Sequence, residues 1–236
     1  MVRVCVSIAN EKLKTLYEQI NRAFDFGADY VEIRFDFFKL DELEQAMSIA
    51  EPFRKKAVFT LRSPREQGRF KWPRPFRIAW LKRLAAFKPM LLDVELQTLK
   101  DNCDLLEYLH DEHANLLVSW HDFKATPPYK ELSCKLEQMG RYSKYIKIIT
   151  TAKNLQDTLR ILDLYDEANG LNLIAFAMGE VGTLSRILCP ITGNAPFTYA
   201  TLEKAIAPGQ LTLEQMRKLY SRIDGTSLGK DHAERG

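Results

Sequence analysis

The stretch Tyr30 to Asp36, YVEIRFD, decides how this chain is to be read. Val31, Ile33 and Phe35 fall on one side of an extended segment and Glu32, Arg34 and Asp36 on the other, because successive strand side chains point to opposite faces. An antiparallel strand with one face in water accounts for such alternation. A strand buried on both faces accounts for it only if the three charges meet partners or a ligand inside. The neighbouring strands choose between the two.

Upstream, Val2 to Ile8 reads as a strand, and Leu13, Leu16, Ile20, Ala23 and Phe24 then recur at helical spacing up to Gly27, a C-cap. Downstream, Leu43, Ala46, Met47 and Ala50 mark another helix. The βα alternation continues through KAVFTLR (Lys56 to Arg62), MLLDVEL (Met90 to Leu96), ANLLVSWH (Ala114 to His121), YIKIIT (Tyr145 to Thr150), LNLIAFAM (Leu171 to Met178) and FTYAT (Phe197 to Thr201). Between the last strands, Leu155, Leu159, Leu162 and Tyr165 form the clearest helical stripe, ending at Gly170. Eight βα units predict a closed (β/α)8 TIM barrel, a fold of typically about 250 residues. A doubly wound open sheet is the alternative, and no GxGxxG follows the first strand to support a dinucleotide-binding version of it. The barrel is expected over residues 1–223, with residues 224–236, which lack periodicity, as a loose tail.

Composition fits a globular protein with a large core, at 46% apolar and 28% charged residues. The net charge of +3 is spread over 34 basic and 31 acidic residues, which suits a small anionic ligand and gives no basic patch for nucleic acid. Cys5, Cys103, Cys134 and Cys189 lack zinc or disulfide-framework spacing. No apolar run approaches the roughly 18 residues of a membrane span. A cytoplasmic protein with reduced thiols, acting on a small molecule, is expected.

In a parallel barrel neither strand face meets bulk water. Glu32 and Arg34 then point inward, joined by Arg62, Asp93 and Glu95, His121 and Lys147, at mid-strand or toward the C-terminal ends, where barrel active sites are built. Taken singly, Glu32, Arg34, Asp93 and Glu95 read as an ion-pair network, Arg62 serves equally as a loop cap, and His121 as a satisfied core histidine. Lys147 is different, because it interrupts an apolar strand and lysine is almost never buried without a partner; Lys144 is its surface counterpart. Desolvation and neighbouring arginines would favour its neutral amine, which can attack a carbonyl. With a histidine for proton transfer, the set suggests Schiff-base chemistry on a hydroxylated keto acid.

The residues also resemble a known family. YVEIRFD, FTLRSPREQG, LLDVEL, VSWHDFKATP, YIKI, MGEVGTLSR and AIAPGQLT occur in the order found in the type I 3-dehydroquinate dehydratases of the shikimate pathway, over nearly the whole chain. The resemblance implies a (β/α)8 lyase that dehydrates 3-dehydroquinate to 3-dehydroshikimate through an imine on Lys147. It makes His121 the proton-transfer group and Glu66, in PREQG, the acid that orients it. It places Arg186, in TLSR, and Gln210, in APGQ, on the substrate carboxylate, Glu32, Arg34 and Arg62 on the ring hydroxyls, and Met178 against the ring. By periodicity alone Arg186 is an ordinary helix residue. The resemblance also implies no cofactor; no His/Cys/Asp spacing suggests a metal site, and a homodimer is expected. Gln67 stands where the family commonly has glycine, and Ile206 where relatives often have serine. A class I aldolase is the alternative enzyme, and a non-catalytic barrel or RNA-associated protein the alternative of another kind.

Overall fold

A computed structural model describes residues 2–9, 11–203 and 208–225. Eight strands run in order as β1 (Val4–Ile8), β2 (Tyr30–Arg34), β3 (Ala57–Thr60), β4 (Leu91–Glu95), β5 (Leu116–His121), β6 (Tyr145–Thr151), β7 (Asn172–Met178) and β8 (Thr198–Ala200). All are parallel in one sheet of order β7-β6-β5-β4-β3-β2-β1-β8. Consecutive neighbours, with β8 returning beside β1, give a nearly closed (β/α)8 barrel. Phe176 of β7 and Tyr199 of β8 face each other inside, with ring centroids 6.3 Å apart.

Helices return the chain from each strand to the next. They are α1 (Leu16–Asp25), α2 (Leu43–Ala50), α3 (Arg74–Ala86), the short α4 (Leu96–Lys100), α5 (Cys103–Asp111), α6 (Tyr129–Gly140), α7 (Leu155–Asp163), α8 (Thr183–Thr192) and α9 (Leu213–Gly225). The residue-by-residue alternation splits the core in two. Val31, Ile33, Phe35, Phe59, Val94, Val118, Ile146 and Ile148 pack outward under the helices. Val58, Leu91, Leu117, Ile149, Ile174, Phe176 and Tyr199 pack inward. That parity sends the charged residues of β2 to β6 into the barrel.

Two expectations change in detail. Asp36 lies past the end of β2, in a 3-10 turn over Phe35–Phe37, so it closes on Arg34 rather than continuing the strand. The stripe that begins on α7 holds only in its second half: Leu162 and Tyr165 pack against the core, whereas Leu155 and Leu159 are 54% and 49% exposed and the helix buries Asp157, Thr158 and Ile161. The buried polar groups there are satisfied locally, since the Asp157 carboxylate accepts from the Lys153 amide at 2.9 Å and Thr158 Oγ1 donates to the Val181 carbonyl at 3.1 Å. Hydrogen bonding thus compensates polar burial that apolar periodicity cannot register. Ile206 and residues 226–236 of the expected tail lie outside the described residues. Among the described residues no helix is long and apolar enough to cross a membrane.

Candidate active site

A cavity of about 630 Å³ opens at the C-terminal end of the barrel, lined by all of the expected site residues. Lys147 stands at its floor, 5% exposed, between outward-facing Ile146 and Ile148. Its Nζ donates to Glu32 Oε1 at 3.0 Å and Asp93 Oδ2 at 3.3 Å. This corrects the expected basic surroundings. Carboxylates from β2 and β4 reach the lysine, whereas the nearby arginines turn to acceptors of their own: Arg34 forms a two-bond fork with Asp36, both arms 2.8 Å, and Arg62 donates to Asp93 at 2.7 Å and Ser119 at 2.6 Å. Burial alone would raise the Glu32 carboxyl, but Lys147 holds it well below the usual range, with Arg34 and the Ser7 hydroxyl adding to the effect.

His121 ends β5 and turns its ring into the same space. Nδ1 shares a 2.7 Å hydrogen bond with Glu66 Oε2, and Phe123 stacks on the ring at 5.6 Å. Burial pushes the histidine well below its ordinary pKa, and Arg62 and Lys147 push the same way. Glu66 moves oppositely: burial raises it to about 8 against the pull of Arg62, with Glu95 and Asp93 adding to the rise.

The loop that carries Glu66 is built from the backbone upward. Ser63 caps a short turn over Pro64–Glu66 by accepting from the Arg65 amide, Gln67 takes a left-handed φ of 58°, and the Gly68 amide returns to the Ser63 carbonyl at 2.9 Å. A Cβ on Gly68 would overlap the Arg62 carbonyl, so only glycine closes this turn. Beneath it, Glu95 accepts from the Ser63 amide at 2.7 Å and pairs with Arg77. Against the upward push of burial, Arg77 and then Arg62 hold the Glu95 carboxyl at about 2. Asp93 and Glu95 therefore brace the site, and Asp93 also touches Lys147 directly.

On the opposite wall α8 presents Arg186, 2% exposed, with its guanidinium carbon 4.1 Å from the centroid of the Phe176 ring. Its Nε has no hydrogen-bond partner, and among the described residues no carboxylate pairs with it. Burial without an acid pushes it down to about 10. Met178 and Gln210 complete the lining. Phe176 and Tyr199 were not singled out from the sequence, although their inward parity on β7 and β8 carried the signal; Phe123 follows His121 by two. Among the described residues no cluster of side chains could hold a metal ion.

The model of the type I 3-dehydroquinase family matches residues 4–227. The chain belongs to that family. A 3-dehydroquinate dehydratase from Thermococcus gammatolerans is 34% identical over 209 residues, 88% of this chain and 94% of the relative. The crystal structure of 3-dehydroquinate dehydratase from Geobacillus kaustophilus superposes with a TM-score of 0.86 at 25% identity, covering 96% of this chain and 93% of the other. That of the Aquifex aeolicus enzyme gives 0.78 at 29% identity, covering 94% and 98%. The dehydratase family and the barrel agree with the reading of the sequence.

Proposed function

We propose that the chain dehydrates 3-dehydroquinate to 3-dehydroshikimate in the shikimate pathway, through an imine between Lys147 and the ring ketone. The observation that carries this is Arg186, a buried guanidinium that no acid among the described residues meets, in the same cavity as a buried lysine and a histidine–glutamate pair. An uncompensated buried cation is costly unless an anion meets it, and the substrate carboxylate is that anion. The family membership and the named relatives point to the same substrate.

Lys147 must shed a proton before Nζ attacks the ketone. His121, kept neutral by burial, can hold that proton and return it to the carbinolamine oxygen, which leaves as water. The protonated imine then withdraws electrons from the adjacent carbon, His121 removes its proton, and the departing hydroxyl takes that proton as a second water. Glu66 orients the ring through Nδ1 so that Nε2 faces the substrate. Glu32 and Arg34, which line the same cavity, would take the ring hydroxyls, and Met178 would lie against the ring face.

Borohydride added during turnover should fix the ring to the peptide containing Lys147 and inactivate the enzyme. Dehydration followed by the absorbance of the conjugated product, without any trapping at Lys147, would exclude the imine route.

A further inference from the structure

Beyond its two carboxylates, Lys147 meets a third surface. The face of Tyr199 lies under Nζ, 4.2 Å from ring centroid to nitrogen. Tyr199 sits on β8, in register with Cys5 of β1, and is 3% exposed. Its ring is fixed on two sides, by Phe197 edge-on at 5.5 Å and by Phe176 tilted at 6.3 Å. Its hydroxyl is buried and has no hydrogen-bond partner. Buried tyrosine hydroxyls are normally bonded; here the polar end is idle while the face is engaged. The face of an aromatic ring is negative and attracts a cation most strongly when both are shielded from water.

We infer that Tyr199 is a positioning residue, whose ring face holds the cationic nitrogen of Lys147 over the barrel floor before and after imine formation, and whose hydroxyl is dispensable for this. The inference rests on the imine reading. Charge is conserved across that step: the ammonium and the ketone become a protonated imine and water, so Nζ carries one positive charge at both ends. Glu32 and Asp93 reach the ammonium through its N–H donors, and the protonated imine keeps only one such donor. The ring needs no N–H. It therefore retains its attraction to the nitrogen when hydrogen bonds to the carboxylates are given up, and it fixes the direction from which the ketone must approach.

The test replaces position 199 with phenylalanine and then with mono-, di- and trifluorinated phenylalanines, which withdraw charge from the ring face at nearly constant shape. Tyr199→Phe should keep wild-type kcat and the wild-type rate of borohydride trapping. The fluorinated series should lower both stepwise, to about one tenth at three fluorines. Tyr199→Leu should fall at least as far, and circular dichroism separates that loss from misfolding. Equal rates along the fluorinated series would overturn the inference, as would a Tyr199→Phe variant as slow as Tyr199→Leu, which would move the role to the hydroxyl. Absence of trapping at Lys147 in the wild-type chain would instead remove the imine reading beneath it.

Discussion

Glu66 reaches His121 across the mouth of the barrel, Oε2 to Nδ1 at 2.7 Å, from a turn that only Gly68 can close. Burial shifts the two groups in opposite senses, the carboxyl up to about 8 and the imidazole down. Below the raised value Glu66 keeps its proton and offers it to Nδ1. The ring then carries its own proton on Nε2, where a base is needed. Above it the carboxylate accepts from Nδ1–H and frees Nε2. The rate of proton removal, read as kcat/KM, should therefore rise with pH and level off above about 8. Glu66→Gln should flatten that limb and lower the plateau roughly tenfold to a hundredfold. The same ionisation persisting unchanged in Glu66→Gln would assign it elsewhere.

Stability should show the other side of that shift. A carboxyl raised from its ordinary 4.5 to about 8 binds its proton more tightly when folded, so its contribution is complete below pH 4.5 and is lost as pH rises toward 8. The depressed His121 contributes in the opposite sense below its ordinary value of 6.5, where the unfolded chain takes up a proton that the folded one refuses. Between about pH 6.5 and 8 only the Glu66 slope remains. Over that window thermal stability of the wild type should decline, and that of Glu66→Gln should decline less.

Arg186 should trade stability for binding. With no acid against it among the described residues and an idle Nε, its charge destabilises the free barrel. Arg186→Met should raise the melting temperature by a few degrees while reducing kcat/KM by about a hundredfold, mostly through KM, since a carboxylate contact is made in ground and transition states alike. A lower melting temperature with unchanged KM would mean that the guanidinium serves the fold.

The barrel was legible because parity is local. Val31, Ile33 and Phe35 against Glu32 and Arg34 already state which face meets helices, and the same alternation through Lys147 and His121 assembles most of the site. What parity omits is reach. Glu32 and Asp93 sit on β2 and β4, and nothing in YVEIRFD or LLDVEL says that their carboxylates extend to Nζ on β6 while Arg62 turns to Asp93 and Ser119. Arg186 escaped periodicity because α8 buries it beside Ser185 and Cys189. Leu162 and Tyr165 do pack on the core, but Leu155 and Leu159 misled, because hydrogen bonds, absent from a hydropathy pattern, let Asp157 and Thr158 take the inner face of α7.

The pairing of Lys147 gives a prediction independent of turnover. Lys147→Met leaves Glu32 with the hydroxyls of Ser7 and Thr60, whereas Asp93 retains Arg62. Breaking a buried ion pair from one side costs about 3–5 kcal/mol. Adding Glu32→Gln should return a substantial part of that loss, because it removes the stranded charge. Additive losses in urea unfolding would show the two side chains to be uncoupled.

The final prediction concerns the loop that carries Gln210. Gly209 has φ +72° and lies against Gly179, itself at φ +91°. The Gly179 amide donates to the Pro208 carbonyl at 3.2 Å, and Thr183 Oγ1 donates to the Gly209 carbonyl at 3.2 Å. The segment is thereby tied to the turn that begins α8, the helix of Arg186. A Cβ at position 209 would strike the Gly179 carbonyl and crowd Thr183 Oγ1, and the left-handed backbone would be strained as well. Gly209→Ala should therefore lift Pro208 and Gln210 from the cavity while leaving the barrel intact. KM should rise about tenfold with kcat reduced less, since the displaced side chains would hold the bound substrate rather than act on the reacting atoms. Thr183→Val, which removes one tie without adding bulk, should give a smaller change in the same direction. Wild-type KM in both variants would mean that this loop does not close on the substrate.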